Sequence, residues 1–224
     1  MTSTKIKPPH SKKKLLMLAG VCGILTPIVA WSLISLAIFY SPGNFDLTQN
    51  WLADLGGMGY ASFLNVSRPI VNSPTTEILY LSGLIIAGIL AIVFSIGLFN
   101  DDGVPSYRLG AVFGVLGSGA LSASGIFPEP MGIINLVATF ASVLLISTAA
   151  LLIGGALIDE SRKQLGGLSI AGLSIVLGII ALAGLSLISY LRSVAVIITF
   201  LALSIWIVVF GVRMLWRASH QMSN

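Results

Sequence analysis

The 224-residue chain is poor in charge, cysteine and histidine. Charged side chains make up 9% of it, against about 25% in soluble globular domains, while 56% is hydrophobic. A chain so composed cannot clothe an apolar core in polar surface, so a water-soluble fold and a disordered polar chain are both excluded. The mean hydropathy of +0.99 agrees. A nucleic-acid-binding domain is excluded too, because no basic face interleaved with aromatics can be drawn. The single cysteine, Cys22, lies in a hydrophobic run and excludes an intramolecular disulfide. It reads as a small apolar residue, with nothing beside it to activate a thiol. The only histidines, His10 and His220, stand near the two ends. The hydrophobic runs therefore offer no imidazole for haem, catalytic zinc or a Ser-His-Asp triad. No strand-like segment precedes a glycine-rich phosphate loop.

What the chain has is length without charge. Six stretches carry no ionised residue: Leu15–Phe45, Ile78–Asn100, Leu109–Pro128, Pro130–Ile158, Gln164–Leu191 and Ser193–Val212. Each reaches at least 20 residues, and about 20 helical residues cross a hydrocarbon core of about 30 Å. Unpaired backbone amides are not tolerated in lipid, which leaves helices or a closed barrel. Barrel strands would be about 10 residues of alternating polarity, so these continuous runs predict helices. The expected fold is all-α, a polytopic membrane protein with a six-transmembrane-helix bundle. The spacing predicts helices over 15–40, 76–99, 107–127, 131–158, 165–189 and 193–216, with a kink at Pro27 and a very short turn at Tyr190-Leu191-Arg192. The first run is too long for the h-region of a cleaved signal and reads as a retained helix. Residues 1–14 are expected to form a disordered basic tail, 15–217 a single membrane domain, and 218–224 a second short tail.

The one long connection, residues 41–76, opens with the turn composition Ser41-Pro42-Gly43-Asn44. A short amphipathic helix is expected from Leu47 to Leu55, with Asp46 as N-cap, Gly56-Gly57 as stop and Trp51 on its apolar face. Basic residues set the orientation. With the N-terminus cytoplasmic, ten of the twelve fall inside, among them five lysines in the first 14 residues, Arg108, Arg162, Lys163, Arg213 and Arg217. Only Arg68 and Arg192 fall outside. Both termini are thus expected in the cytoplasm and the long loop outside, in a cell membrane. Small residues recur at helical spacing: Gly83, Ala87, Ala91 and Ser95, then Gly110, Gly114, Ser118 and Ser122, then Gly167, Ala171, Ser174 and Gly178. Such stripes let helices approach closely. Packing within the chain is the first reading of them, and an oligomer seam the second.

No charge lies mid-helix, where a buried carboxylate would mark an ion or proton path. Polar density gathers instead on the outer side, and the expected ligand-binding residues are Asp54, Asn50, Arg68, Asn72, Glu77, Glu129 and Asn135. No catalytic residue, metal ligand or cofactor is assigned. The expected partners are the lipid bilayer, a lipid or small amphipathic ligand, and a second copy or another membrane subunit, with no nucleic acid. Three functions remain open. One is a non-enzymatic lipid- or small-molecule-binding protein or complex subunit. The second is a small-solute transporter or channel lined by serines such as Ser118, Ser122, Ser124, Ser142, Ser147 and Ser186. The third is a membrane enzyme using outer-face carboxylates, Asp54 and Glu129, as acid and base. A sequon at Asn65-Val66-Ser67 lies on the expected outer side.

The basic tail, the six runs, Ala53-Asp54-Leu55-Gly56 in the first loop and Gly125-Ile126-Phe127-Pro128-Glu129 at the end of the third run together resemble a prokaryotic membrane-protein family. That family is catalogued as domain of unknown function 998. The resemblance covers about residues 12–217 and implies location and fold rather than a reaction. Two positions depart from the family's pattern: Ala53 stands for its serine, and Asn135 for its histidine.

Overall fold

A computed structural model describes residues 10–41, 45, 52–57, 73–101, 104–159, 167 and 189–220. Among these residues there are five long α-helices and no strand. They are α1 (His10–Tyr40), α2 (Pro74–Asp101), α3 (Pro105–Ile126), α4 (Ile133–Asp159) and α5 (Ser189–His220). All five are long and apolar enough to cross a membrane. Their outer faces are lined with large apolar side chains, such as Leu18, Ile28, Leu116, Val137 and Ile205, each more than half exposed. Water would not tolerate apolar surface on this scale, but lipid is its natural solvent.

The ends of the helices follow from local chemistry. Ser73 is the N-cap of α2. Its Oγ accepts the Thr76 N–H at 3.2 Å and lies 2.9 Å from the Thr76 hydroxyl, while Pro74 fills the first helical position. The α3 helix enters through extended Val104, which makes no side-chain cap, with Pro105 at its start as Pro74 is for α2. Gly132 stands just before α4 with φ of 61°, a left-handed conformation that glycine adopts without steric cost. Pro27 is accommodated within an unbroken α1, where the neighbouring Thr26 hydroxyl donates to the Cys22 carbonyl at 2.8 Å.

Several boundaries differ from the sequence expectation. The α1 helix begins at His10, so Lys12–Lys14 are helical rather than part of a disordered tail. Lysine is a good helix former once outside hydrocarbon. Tyr190, Leu191 and Arg192, expected as a turn, belong to the first turns of α5. They include neither glycine nor proline to stop a helix. Over the expected amphipathic helix the described residues hold a five-residue 3₁₀ helix, Leu52–Gly56. Leu47 to Trp51 lie outside the described residues, as does the fifth expected helix apart from Gly167 and Ser189.

Two apolar clusters define the bundle's ends. At one, Leu16, Phe94, Leu98, Tyr107, Ala111, Ile153, Leu157, Phe210 and Met214 draw on all five helices. Lys12–Lys14, Arg108, Arg213 and Arg217 lie at this end, here called the basic end. At the other, Ile34, Ala37, Tyr80 and Leu84 enclose Leu52 and Leu55 of the 3₁₀ helix, with Ile197 of α5 against them. This is the loop end. Helices α1, α2, α3 and α4 alternate in direction. Both α4 and α5 run from the loop end to the basic end, as Asn135 and Ile197 at one end and Leu157 and Phe210 at the other require.

Glycines set how closely the helices approach. A Cβ on Gly88 would stand 2.7 Å from the Ser122 backbone nitrogen, and one on Gly117 2.9 Å from that of Ile146. Gly83 faces Leu33, Gly114 faces Ser95, and Gly110 faces Ile153. The first two small-residue stripes are therefore seams within the chain, α1–α2, α2–α3 and α3–α4.

Candidate functional site

The loop end holds those residues singled out from sequence that are described. Asp54 lies in the 3₁₀ helix and is buried, 8% exposed, between apolar Leu52 and Leu55. This segment packs on α2, where Gly56 faces the Tyr80 ring. Glu77, half-buried in the first turn of α2, stands one turn before Tyr80. Gly57 abuts Pro130 so tightly that a Cβ there would lie 2.5 Å from the proline Cδ. Pro130 belongs to a second 3₁₀ helix, Glu129–Met131. The backbones carrying Asp54 and Glu129, far apart in sequence, thus meet. The Glu129 side chain and the whole of Asn50, Arg68 and Asn72 lie outside the described residues.

Asn135 has a defined task. Its Nδ2 donates to the Ser124 carbonyl at 3.1 Å and to the Phe127 carbonyl at 2.6 Å. Carbonyls at a helix C-terminus have no partner within the helix. A side chain in the first turn of α4 satisfies two of them at the end of α3 and fixes the turn between the helices.

Mid-bundle, a cavity of about 50 Å³ touches all five helices, with Thr26, Trp31, Leu121, Ser142 and Ser204 among its walls. The hydroxyls of Thr26, Ser142 and Ser204 donate to the carbonyls of Cys22, Thr139 and Phe200 on their own helices. Trp31 Nε1–H donates to Ser204 Oγ at 3.1 Å. The donors are thus turned into the helix backbones, leaving a weakly polar wall.

The most organised polar group lies at the basic end and was not foreseen. Asp101, the last residue of α2, has a side chain only 1% exposed. Its Oδ2 accepts the Tyr107 hydroxyl at 3.2 Å and lies 3.5 Å from Arg213 Nη1. Arg217 Nη1 stands 2.8 Å from Oδ1 in an ionic contact. Arg213 also donates to the Tyr107 hydroxyl at 3.1 Å, and its guanidinium lies within 6 Å of the Tyr107 and Phe210 ring centroids. One carboxylate and one phenol thus gather two arginines, tying α2 and α3 to α5. The sequence signal was the Arg213/Arg217 pair, four residues apart on one helical face, read only as a marker of orientation.

Among the described residues no three His, Cys, Asp or Glu side chains gather around a point a metal ion could occupy. The paired arginines and the buried carboxylate suit anchoring and anion recognition. Comparison with known protein families, curated proteins and solved structures finds no match to this chain.

Proposed function

We propose that this integral membrane protein is a non-enzymatic component that binds a lipid or small amphipathic molecule at its loop end. The observation that carries this reading is the meeting of the Asp54 and Glu129–Pro130 segments over the bundle. A buried carboxylate between apolar residues 52 and 55 sets a polar group among apolar side chains, a combination that ligand sites commonly use. Native mass spectrometry of the purified chain tests the proposal. A retained lipid or small molecule, reduced by Asp54→Asn and Glu129→Gln with the fold intact, is expected. Complete absence of any retained species in mild detergent overturns it.

A sixth crossing belongs to the same proposal. Both α4 and α5 run toward the basic end, so residues 160–188 return the chain to the loop end. They include most of the charge-free stretch Gln164–Leu191. Ser147, Ala150 and Gly154, on the α4 face turned away from α3, are buried as well, as a neighbour on that side requires. The basic end is taken as cytoplasmic because lysines and arginines gather there. Single cysteines introduced at 162 and 190 should label from opposite sides of a vesicle. Labelling from one side removes the sixth crossing.

A further inference from the structure

The cavity in the middle of the bundle has polarity of one kind. Thr26 and Ser142, 4% and 1% exposed, stand in its wall together with Trp31 and Ser204. Each hydroxyl is committed as a donor. Thr26 donates to the Cys22 carbonyl at 2.8 Å, Ser142 to that of Thr139 at 2.7 Å and Ser204 to that of Phe200 at 2.7 Å. The Trp31 N–H is committed too, to Ser204 Oγ at 3.1 Å, a bond that ties α1 to α5. A hydroxyl carries a single proton, and what remains to it is lone pairs. The described wall therefore offers acceptors and no free donor. The rest of that wall is apolar, from Leu84 and Ala87 of α2 to Phe200 and Leu203 of α5.

We propose that this cavity binds a short aliphatic alcohol, its O–H donating to Thr26 Oγ1 or Ser142 Oγ and its carbon end lying against the apolar wall. Volume sets the size of the guest. An apolar cavity of about 150 Å³ binds benzene. At about 50 Å³ this one has room for roughly two or three heavy atoms. Water is the poorer occupant. The space would take about three molecules, each seeking about three hydrogen bonds, and most of the wall has none to give. Left empty, the same wall forfeits its dispersion contacts. An alcohol asks for a single acceptor and covers aliphatic surface with the rest of its atoms. The site lies mid-bundle and is independent of the one proposed at the loop end.

The test uses the full chain in nanodiscs of deuterated lipid, with labelled leucine and isoleucine methyl groups, and two probes, ethanol and dimethyl ether. These are isomers of closely similar size, and only ethanol has a donor. Ethanol should give saturable nuclear Overhauser cross-peaks to the methyl groups of Leu121 and Ile146, which line the cavity. Dimethyl ether should bind about fivefold more weakly, as expected for one lost hydrogen bond. Ethanol should lose about the same factor in the double variant Thr26→Val/Ser142→Ala, which removes both free acceptors. Ala87→Val, which puts a larger side chain in the wall, should abolish the cross-peaks while distant methyl signals stay in place. Absence of any saturable cross-peak, equal binding of the ether, undiminished binding in the double variant, or cross-peaks that persist in a folded Ala87→Val chain would each overturn the proposal. If Ala87→Val does not fold, the ether and the double variant decide.

Discussion

Replacing Asp101 by asparagine removes the carboxylate that faces both Arg213 and Arg217, while keeping an oxygen for the Tyr107 hydroxyl. The side chains of Asp101, Arg213 and Arg217 are 1%, 11% and 23% exposed. Removing one partner of a buried ion pair costs about 3–5 kcal/mol, because the remaining charge stays desolvated. Two features reduce that figure here. Arg217 is partly exposed, and its long side chain can reach toward the headgroups. Arg213 also keeps its contacts with the Tyr107 and Phe210 rings. The expected cost of Asp101→Asn is therefore about 2–3 kcal/mol. Asp101→Ala should add about 1 kcal/mol, because the Tyr107 hydroxyl then loses its acceptor in a dry setting.

The converse change is milder. Arg213→Gln leaves Asp101 with Arg217 and Tyr107, and about 1–2 kcal/mol is expected. In the double variant Asp101→Asn/Arg213→Gln, neither stranded charge persists at that contact. Its cost should fall short of the sum of the single changes by at least about 1 kcal/mol. The assay is reversible unfolding in mixed micelles, followed by tryptophan fluorescence as denaturing detergent is raised. Trp206, partly buried against the basic-end cluster, reports on that region. Additive single and double variants, or an Asp101→Asn protein indistinguishable from the parent, would refute the reasoning.

The other expectations can be checked alongside. Tyr107→Phe should cost about 1 kcal/mol, because the hydroxyl bridges Asp101 and Arg213; the same titration reads it. Asn135→Leu uncaps two carbonyls at the end of α3 and should cost about 1–2 kcal/mol. Its mark is faster proteolysis at the Pro128–Pro130 turn, and an unchanged cleavage rate counts against the capping role. Gly88→Ala should destabilise by about 1–3 kcal/mol, because the new methyl group meets α3 backbone. Gly119→Ala, with nothing within 4 Å, is its neutral control; equal effects at the two sites would show that the α2–α3 approach is not set at Gly88.

The helices were legible because a lipid-crossing segment needs a long uncharged run, and that requirement leaves a direct trace in sequence. Their ends were less so. Hydropathy reports where lipid ends, whereas a helix ends where its hydrogen bonding stops. At His10–Lys14, Asn100–Asp101, Ser189–Arg192 and Arg217–His220 polar residues continue the helix beyond the apolar run. At the loop end, sequence marked Asp54, Glu129 and Asn135 as polar residues near an interface, and the fold brings their segments to one place. The task of Asn135 was hidden, because a capping bond depends on the angle at which two helices meet. The Asp101 cluster was hidden for a different reason. Tyr107 and Arg213 are 106 positions apart, and no local pattern couples them.

The two ends of the bundle are held by different forces, and the connections explain why. At the loop end, chain outside the helices is available to fold back. The Leu52–Gly56 segment fills the space between α1 and α2, while Ser73 and Asn135 satisfy exposed helix ends through neutral hydrogen bonds. At the basic end, α2 and α3 are joined by only the few residues between Asp101 and Pro105. Among the described residues, α5 is secured there by side chains. Apolar packing gives little preference for one register over another in lipid, since lipid tails are as apolar as the helix face they replace. A carboxylate met by arginines one turn apart is directional. It admits one rotation and one depth of α5 against α2 and α3. The same arrangement lets Arg213 sit deep in the bundle while Arg217 reaches the rim, so one ionic contact fixes both the depth and the rotation of the last helix.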